Sequence, residues 1–195
     1  MEYLVTMTTR VPDGTTEREV AEVRAREAAH SRELAARRRL LRLWRPPLGP
    51  GEWRSIGLFD DEGPDALERT LAAMPLRVWR TDVPAELAPH PADPGRGEVP
   101  IAADSEEYLV TFVADMPSGT GPGSPAESKR VRDMAAGGHL IRLWTLPGGG
   151  RGIGLWQAPG AGRLREILRS LPMAGRSTVD TVPLTRHPSD PAQVT

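Results

Sequence analysis

The chain is 195 residues long, carries a formal net charge of -1, and contains no Cys and one Lys, Lys129. The missing Cys excludes disulfides, thiolate nucleophiles and Cys-ligated metal, and a Schiff-base mechanism would rest on Lys129 alone. Acids and bases are interspersed, no apolar run approaches the roughly 18 residues of a membrane span, and Met1 leads straight into a strand pattern. The expectation is therefore a cytoplasmic protein with no nucleic-acid or membrane partner. The run Arg37-Arg38-Arg39 reads as a solvated helix end favoured by the helix dipole, not as a binding footprint.

Tyr3 to Thr9 alternates Tyr3, Val5 and Met7 against Leu4, Thr6 and Thr8, which predicts a strand. Val11-Pro12-Asp13-Gly14 is a turn. Thr16-Glu17-Arg18-Glu19 has capping-box spacing and starts a helix expected to reach Arg38. Steps of three and four residues put Val20, Val23, Glu27 and Leu34 on its inward face, with His30 and Ser31 between them. A carboxylate and an imidazole thus share the buried side, one turn apart.

Leu40 to Arg45 predicts a second strand, with Leu41 and Leu43 facing one way and Arg42 and Trp44 the other. After a Pro/Gly loop, Trp53 to Asp60 predicts a third, with Trp53, Ser55, Gly57 and Phe59 on one side. A helix from Ala66 to Met74 follows, stopped by Pro75. Trp79 to Leu87 predicts a fourth strand, which Pro84 confines to an edge or a strand end. The order β-α-β-β-α-β is the split βαβ, ferredoxin-like pattern of the α+β class.

The pattern then recurs. Leu41-Arg42-Leu43-Trp44 returns as Ile141-Arg142-Leu143-Trp144, and Glu2-Tyr3-Leu4-Val5-Thr6 as Glu107-Tyr108-Leu109-Val110-Thr111. A period of about a hundred residues is a domain duplication and not a solenoid. The expected boundaries are a first repeat at 1–94, a Pro/Gly-rich linker at 95–106, a trimmed second repeat at 107–190 and a loose tail at 191–195. In the second repeat Ser124-Pro125-Ala126-Glu127 starts a shorter helix with a capping box. Strands are expected at His139 to Thr145, Arg151 to Gln157 and Ser177 to Leu184, with a helix at Ala161 to Ser170.

The first unit resembles muconolactone isomerase, a small ferredoxin-like enzyme of aromatic-acid breakdown. The resemblance rests on the Tyr3-to-Met7 strand, Pro12, Glu27, Leu34, Leu43-Trp44-Arg45, Phe59-Asp60, Ala66-Leu67, Leu71, Met74-Pro75-Leu76 and His90-Pro91. Residues 107–190 carry it less fully, through Pro117, Glu127, Leu143-Trp144, Leu164, Leu171-Pro172, Asp180 and Arg186-His187-Pro188-Ser189. What it implies is an allylic proton shift on a small unsaturated lactone, with no metal and no organic cofactor. Such chemistry needs one base and a donor that stabilises the dienolate oxygen. Glu27 stands at the family's helix glutamate and is the expected base; the bland alternative is an ion pair with Arg42 or Arg54. His30 either orients Glu27 or is a satisfied core histidine.

For substrate binding the candidates are Arg42, Trp44, Trp53 and His90 in the first repeat, and Glu127, Arg142, Trp144 and His187 in the second. Arg42 suits a substrate carboxylate, against an exposed strand arginine. Trp44 and Trp53 equally fit a core or barrel interface. His90 and His187 either complete a site or belong to loose tails. Glu127 has a complete structural reason in its capping box, Arg130 stands where His30 stands, and Ile153 or its neighbour takes the place of Trp53.

Units of this shape pair their sheets into a dimeric α/β barrel, which a tandem fusion would make intramolecular, and the family's rings of dimers leave homo-oligomer formation open. The partner expected is a small-molecule substrate, in aromatic catabolism or secondary metabolism. Two other readings stay open: a cofactor-independent oxygenase or cyclase acting on a phenolic or polyketide substrate, and a non-catalytic barrel that binds a small molecule.

Overall fold

The computed structural model describes residues 1–114, 125–171 and 177–192, with the side chains at 114 and 125–127 outside that set. The chain divides into two compact units, Met1–Glu86 with Thr185–Thr195, and Leu87–Leu184. The repeats and the units therefore differ at their ends: the stretch after each repeat's last strand belongs to the other unit.

The first repeat forms β1 (Glu2–Thr9), α1 (Glu17–Ala36), β2 (Leu40–Arg45), β3 (Arg54–Asp60), α2 (Pro64–Ala72), a 3₁₀ turn (Pro75–Trp79) and β4 (Arg80–Pro89). The second forms β5 (Glu106–Ala114), α3 (Pro125–Ala136), β6 (Leu140–Thr145), β7 (Arg151–Ala158), α4 (Ala161–Arg169) and β8 (Ser177–Arg186). The strand orders β4-β1-β3-β2 and β8-β5-β7-β6 are those of the split βαβ fold. β3 is central in the first, matching Val5 to Gly57 and Trp44 to Ile56; β7 repeats this with Val110 to Gly154 and Trp144 to Ile153.

The capping box at the start of α1 is complete: Thr16 Oγ1 accepts from Glu19 N at 3.3 Å, and Glu19 Oε2 accepts from Thr16 N at 2.8 Å. The helix stops at Ala36, short of the expected Arg38, because Arg38 adopts φ 57°. Arg38 N then donates to Ala35 O, and Arg39 N to Leu34 O, each at 2.9 Å, closing a Schellman motif. The second repeat makes the same turn with Gly138 at φ 75°. Pro75 does stop α2 from continuing, but it also opens the 3₁₀ turn, so β4 begins at Arg80.

In the first unit Tyr3, Val5, Met7, Leu43 and Phe59 pack under Leu34, Leu67, Leu71 and Met74. Gly57 makes room for this: a Cβ there would sit 2.5 Å from the Phe59 ring. A bulge lies between Leu40 and Arg42, so Leu40 and Leu43, not Leu41 and Leu43, belong to this core. The second unit is built likewise around Tyr108, Val110, Phe112, Val131, Met134 and Trp156.

Neither connecting segment is loose. Ala92 and Val99 are buried, and Gln157 ties the segment between the repeats down, accepting from Ala102 N and donating to Pro100 O, both at 2.9 Å. Beyond β8, Asp190, the last residue of the expected second repeat, is buried. The expected capping box of Ser124 and Glu127 lies outside the described residues. No helix among the described residues is long and apolar enough to cross a membrane.

Candidate active site

The first unit holds a cavity of about 280 Å³. Its walls come from the inward face of α1 (Arg24, Glu27, Ser31), from the sheet (Met7, Thr9, Leu43, Arg45, Ser55), from Trp53 just before β3, and from Met74, Leu76 and Arg80. His187, Pro188 and Ser189 complete the lining. The helical period aims Glu27 and Ser31 at the sheet, one turn apart, and the pleat aims Met7, Thr9, Leu43, Arg45 and Ser55 back at them.

Glu27 is the carboxylate of this cavity, with its side chain 12% exposed. Oε1 accepts from Arg80 Nη1 at 2.8 Å and Oε2 accepts from the Leu76 backbone N at 2.8 Å. Arg80 is deeply buried and is held from behind: Nε donates to Asp82 Oδ1 at 2.6 Å and Nη2 to Asp82 Oδ2 at 3.1 Å. Asp82 also pairs with Arg77, whose Nη2 donates to Glu68 at 2.6 Å. Alternating charges thus run from an exposed carboxylate to the cavity, and each buried charge has an opposite neighbour, as burial demands.

The partner of Glu27 is therefore Arg80, not Arg42 or Arg54. Arg80 and Asp82 escaped the sequence reading, although both stand on a strand two residues apart and so on one face. Arg24 and Arg45 also line the cavity, and the Arg24 guanidinium lies 5.4 Å from the centroid of the Trp53 ring.

Of the ten expected site residues, Glu27, Trp53 and His187 meet at this cavity. His187 N donates to Leu43 O at 3.0 Å, and its Nδ1 accepts from Ser189 N at 3.1 Å. Burial first, then the nearby Arg45 charge, pull its pKa down to about 4, so the imidazole is neutral. His30 stands outside the cavity wall; its Nδ1 is 3.9 Å from Glu33, and its Nε2 is buried with no hydrogen-bond partner. His30 lies about 60° round the helix from Glu27, on the side opposite to the cavity-lining Ala28 and Ser31.

Arg42 and Trp44 flank cavity-lining Leu43 and so project from the opposite face of β2. Arg42 stacks 4.7 Å from the Trp44 ring centroid and pairs with Asp190 at 3.0 Å. In the second unit Arg142 stacks 4.8 Å from Trp144 and pairs with Asp93 at 3.0 Å. His90 there donates from its backbone N to Leu143 O at 3.1 Å, and burial lowers its pKa. The Glu127 side chain lies outside the described residues. No cluster of three metal-ligating side chains occurs among the described residues.

Among the described residues, the second unit differs from the first at three cavity-lining positions. Matching registers put Phe112 at the place of Met7 and Gly150 at that of Trp53, so the expected Ile153 instead matches Ile56, and the matching helix-end turns at Arg38 and Gly138 put Val131 at the place of Ser31. Phe112, Val131 and Trp156 pack in one core, with Phe112 and Trp156 edge to face at 6.4 Å. Counting back from the two His-Pro pairs, Ser177 replaces Arg80 and Val179 replaces Asp82.

No curated protein matches the chain. Among solved structures, a heme-binding protein from Thermus thermophilus is 14% identical with a TM-score of 0.56, over 97% of this chain and 93% of that one. A "putative chlorite dismutase" is 12% identical with a TM-score of 0.54, over 95% of each chain. A "putative monooxygenase" from Lactobacillus acidophilus is 10% identical with a TM-score of 0.52, over 95% of this chain and 93% of that one. At such identities the likeness is one of fold. The family model for muconolactone delta-isomerase matches residues 1–93 and again 107–190, in the order and spacing of the two repeats. By that double match the chain belongs to the muconolactone delta-isomerase family.

Proposed function

We propose that the first unit is a cofactor-free isomerase that moves a proton on a small unsaturated lactone or a related enolisable substrate, in aromatic catabolism or a secondary-metabolite pathway. Glu27 is its base. One observation carries the reading: a carboxylate in the wall of a half-open cavity, with each oxygen oriented by one donor, Arg80 Nη1 and Leu76 N. Each oxygen keeps a second lone pair for the substrate proton. Glu27 takes the proton alpha to the carbonyl, the electron pair spreads into a dienolate, and the same carboxyl returns the proton further along the conjugated system. Trp53 offers a flat wall, and Arg24 and Arg45 offer positive charge to an acidic substituent.

Cavity size supports this over chemistry on fused-ring phenols. At about 280 Å³ it lies at the small end of ligand pockets, which run from roughly 300 to 1,000 Å³, and suits a single ring. The second unit carries Phe112 and Val131 where the first has the cavity-lining Met7 and Ser31, which supports placing the reaction in the first unit.

The test is proton NMR in deuterated water with muconolactone and a panel of unsaturated five-membered lactones. The expected outcome is double-bond migration, with deuterium entering at the exchanging carbon. Glu27→Gln, which keeps the side-chain size and one of the two contacts but turns an NH2 toward the other donor, lowers the rate by about 10²- to 10⁴-fold. A fully active Glu27→Gln protein would remove the base assignment.

A further inference from the structure

We propose that Arg80 is itself a catalytic group, the donor that stabilises the oxyanion formed when Glu27 removes the proton; the inference rests on the isomerase reading above. Five N–H bonds project from a guanidinium in one plane. In Arg80 they are almost all committed: Nε and Nη2 to the Asp82 carboxylate, Nη2 also toward Leu71 O at 3.5 Å and Met74 Sδ at 3.4 Å, and one hydrogen of Nη1 to Glu27 Oε1. The second hydrogen of Nη1 has no acceptor among the described residues, and Arg80 forms part of the cavity wall beside the base.

Asp82 makes this donor rigid. Its carboxylate holds the guanidinium fork from the side away from the cavity, and Arg77 holds Asp82 in turn. A donor fixed before the reaction needs no reorganisation when charge develops, which is where such groups gain their effect. The proton transfer also suits the pairing. The C–H bond breaks, the proton goes to Glu27, and the electron pair goes to the substrate carbonyl oxygen. Negative charge moves from Glu27 to that oxygen, so a guanidinium between them is paired before and after, and no buried charge is left alone. Return of the proton to the far carbon restores the starting state. The second repeat has Ser177 and Val179 in place of Arg80 and Asp82, so this donor is particular to the first repeat.

The experiment uses 4-nitrophenol as a stand-in for the dienolate, at a pH where the free phenol is un-ionised, with the phenolate absorbance as the signal. The wild-type protein is expected to draw the bound phenol into its phenolate form. Glu27→Gln, which removes a neighbouring negative charge, keeps or strengthens that band. Arg80→Lys, which keeps the charge and loses the fork, abolishes it, and lowers lactone turnover by about 100-fold or more with little change in KM. Asp82→Asn, which leaves Arg80 intact and does not line the cavity, weakens the band, and serves if Arg80→Lys fails to fold. Absence of the band in the wild-type protein, or a band of unchanged strength in the folded Arg80 and Asp82 variants, overturns the proposal. A band that depends on Arg80 in a protein inactive on every lactone would refute the isomerase reading instead, and leave the donor standing.

Discussion

Asp190 holds Arg42 across 148 positions of sequence: its carboxylate accepts from Nε at 3.2 Å and Nη2 at 3.0 Å, and from the Leu43 backbone N at 2.9 Å. Asp93 does the same to Arg142 and Leu143, with 2.7 Å to the backbone N. The two carboxylates end matching His-Pro-x-Asp turns, His90 to Asp93 and His187 to Asp190. In each turn the Asp N donates to the His O at 2.8 Å. Asp190 thereby sets His187, Pro188 and Ser189 against the cavity.

Removing one partner of this buried pair leaves a charge and a backbone N–H without their acceptor. Asp190→Ala is expected to cost about 3–5 kcal/mol in denaturant unfolding. Asp93→Ala is expected to cost a similar amount without lowering turnover at the Glu27 cavity. A loss below about 1 kcal/mol would place Asp190 among weak surface pairs.

Ser31 is the narrowest point at which the first unit can be made like the second. Ser31→Val copies Val131, adds apolar volume where the cavity stands open, and should leave the unfolding midpoint nearly unchanged. One crowding methyl group in a pocket is worth roughly 1–3 kcal/mol, so KM should rise about tenfold or more. Phe112→Ala, by contrast, opens a core and should cost about 3–5 kcal/mol of stability.

His187 makes stability depend on pH. Its folded-state pKa is pulled to about 4, below the ordinary 6.5, so the unfolded chain takes up the proton first. Stability from this residue is complete above the unfolded value and declines as pH falls from there toward about 4. His187→Gln should flatten that decline, read as denaturant midpoints at neutral pH and near pH 4.5. An equally steep decline in the variant would show that other groups are responsible.

Arg38 occupies a left-handed turn that Gly138 fills in the second repeat. A side chain there costs about 1–2 kcal/mol of local strain that glycine avoids. Arg38→Gly should therefore raise stability by about 1 kcal/mol after allowing for glycine's greater freedom in the unfolded chain. A lower melting temperature would mean that Arg38 makes contacts worth more than the strain.

Periodicity made much of this protein legible. The repeated Leu-Arg-Leu-Trp and Ile-Arg-Leu-Trp set the register between the halves, the Thr16 capping box marked where α1 begins, and the 3.6-residue period turned Glu27, Ser31 and Leu34 inward. Alternation along the third strand put Trp53, Ser55 and Phe59 on the side where the cavity and core lie. These are local properties, because the side-chain direction of a helix or strand follows from its own backbone. What faces a buried side chain is not local. That Arg80 rather than Arg42 meets Glu27, that Asp190 reaches Arg42, and that Phe112 and Val131 share a core with Trp156 depended on how distant segments pack. An inward-facing carboxylate must find a partner in low dielectric, and the sequence establishes that need; only the tertiary structure chooses which of 24 arginines meets it.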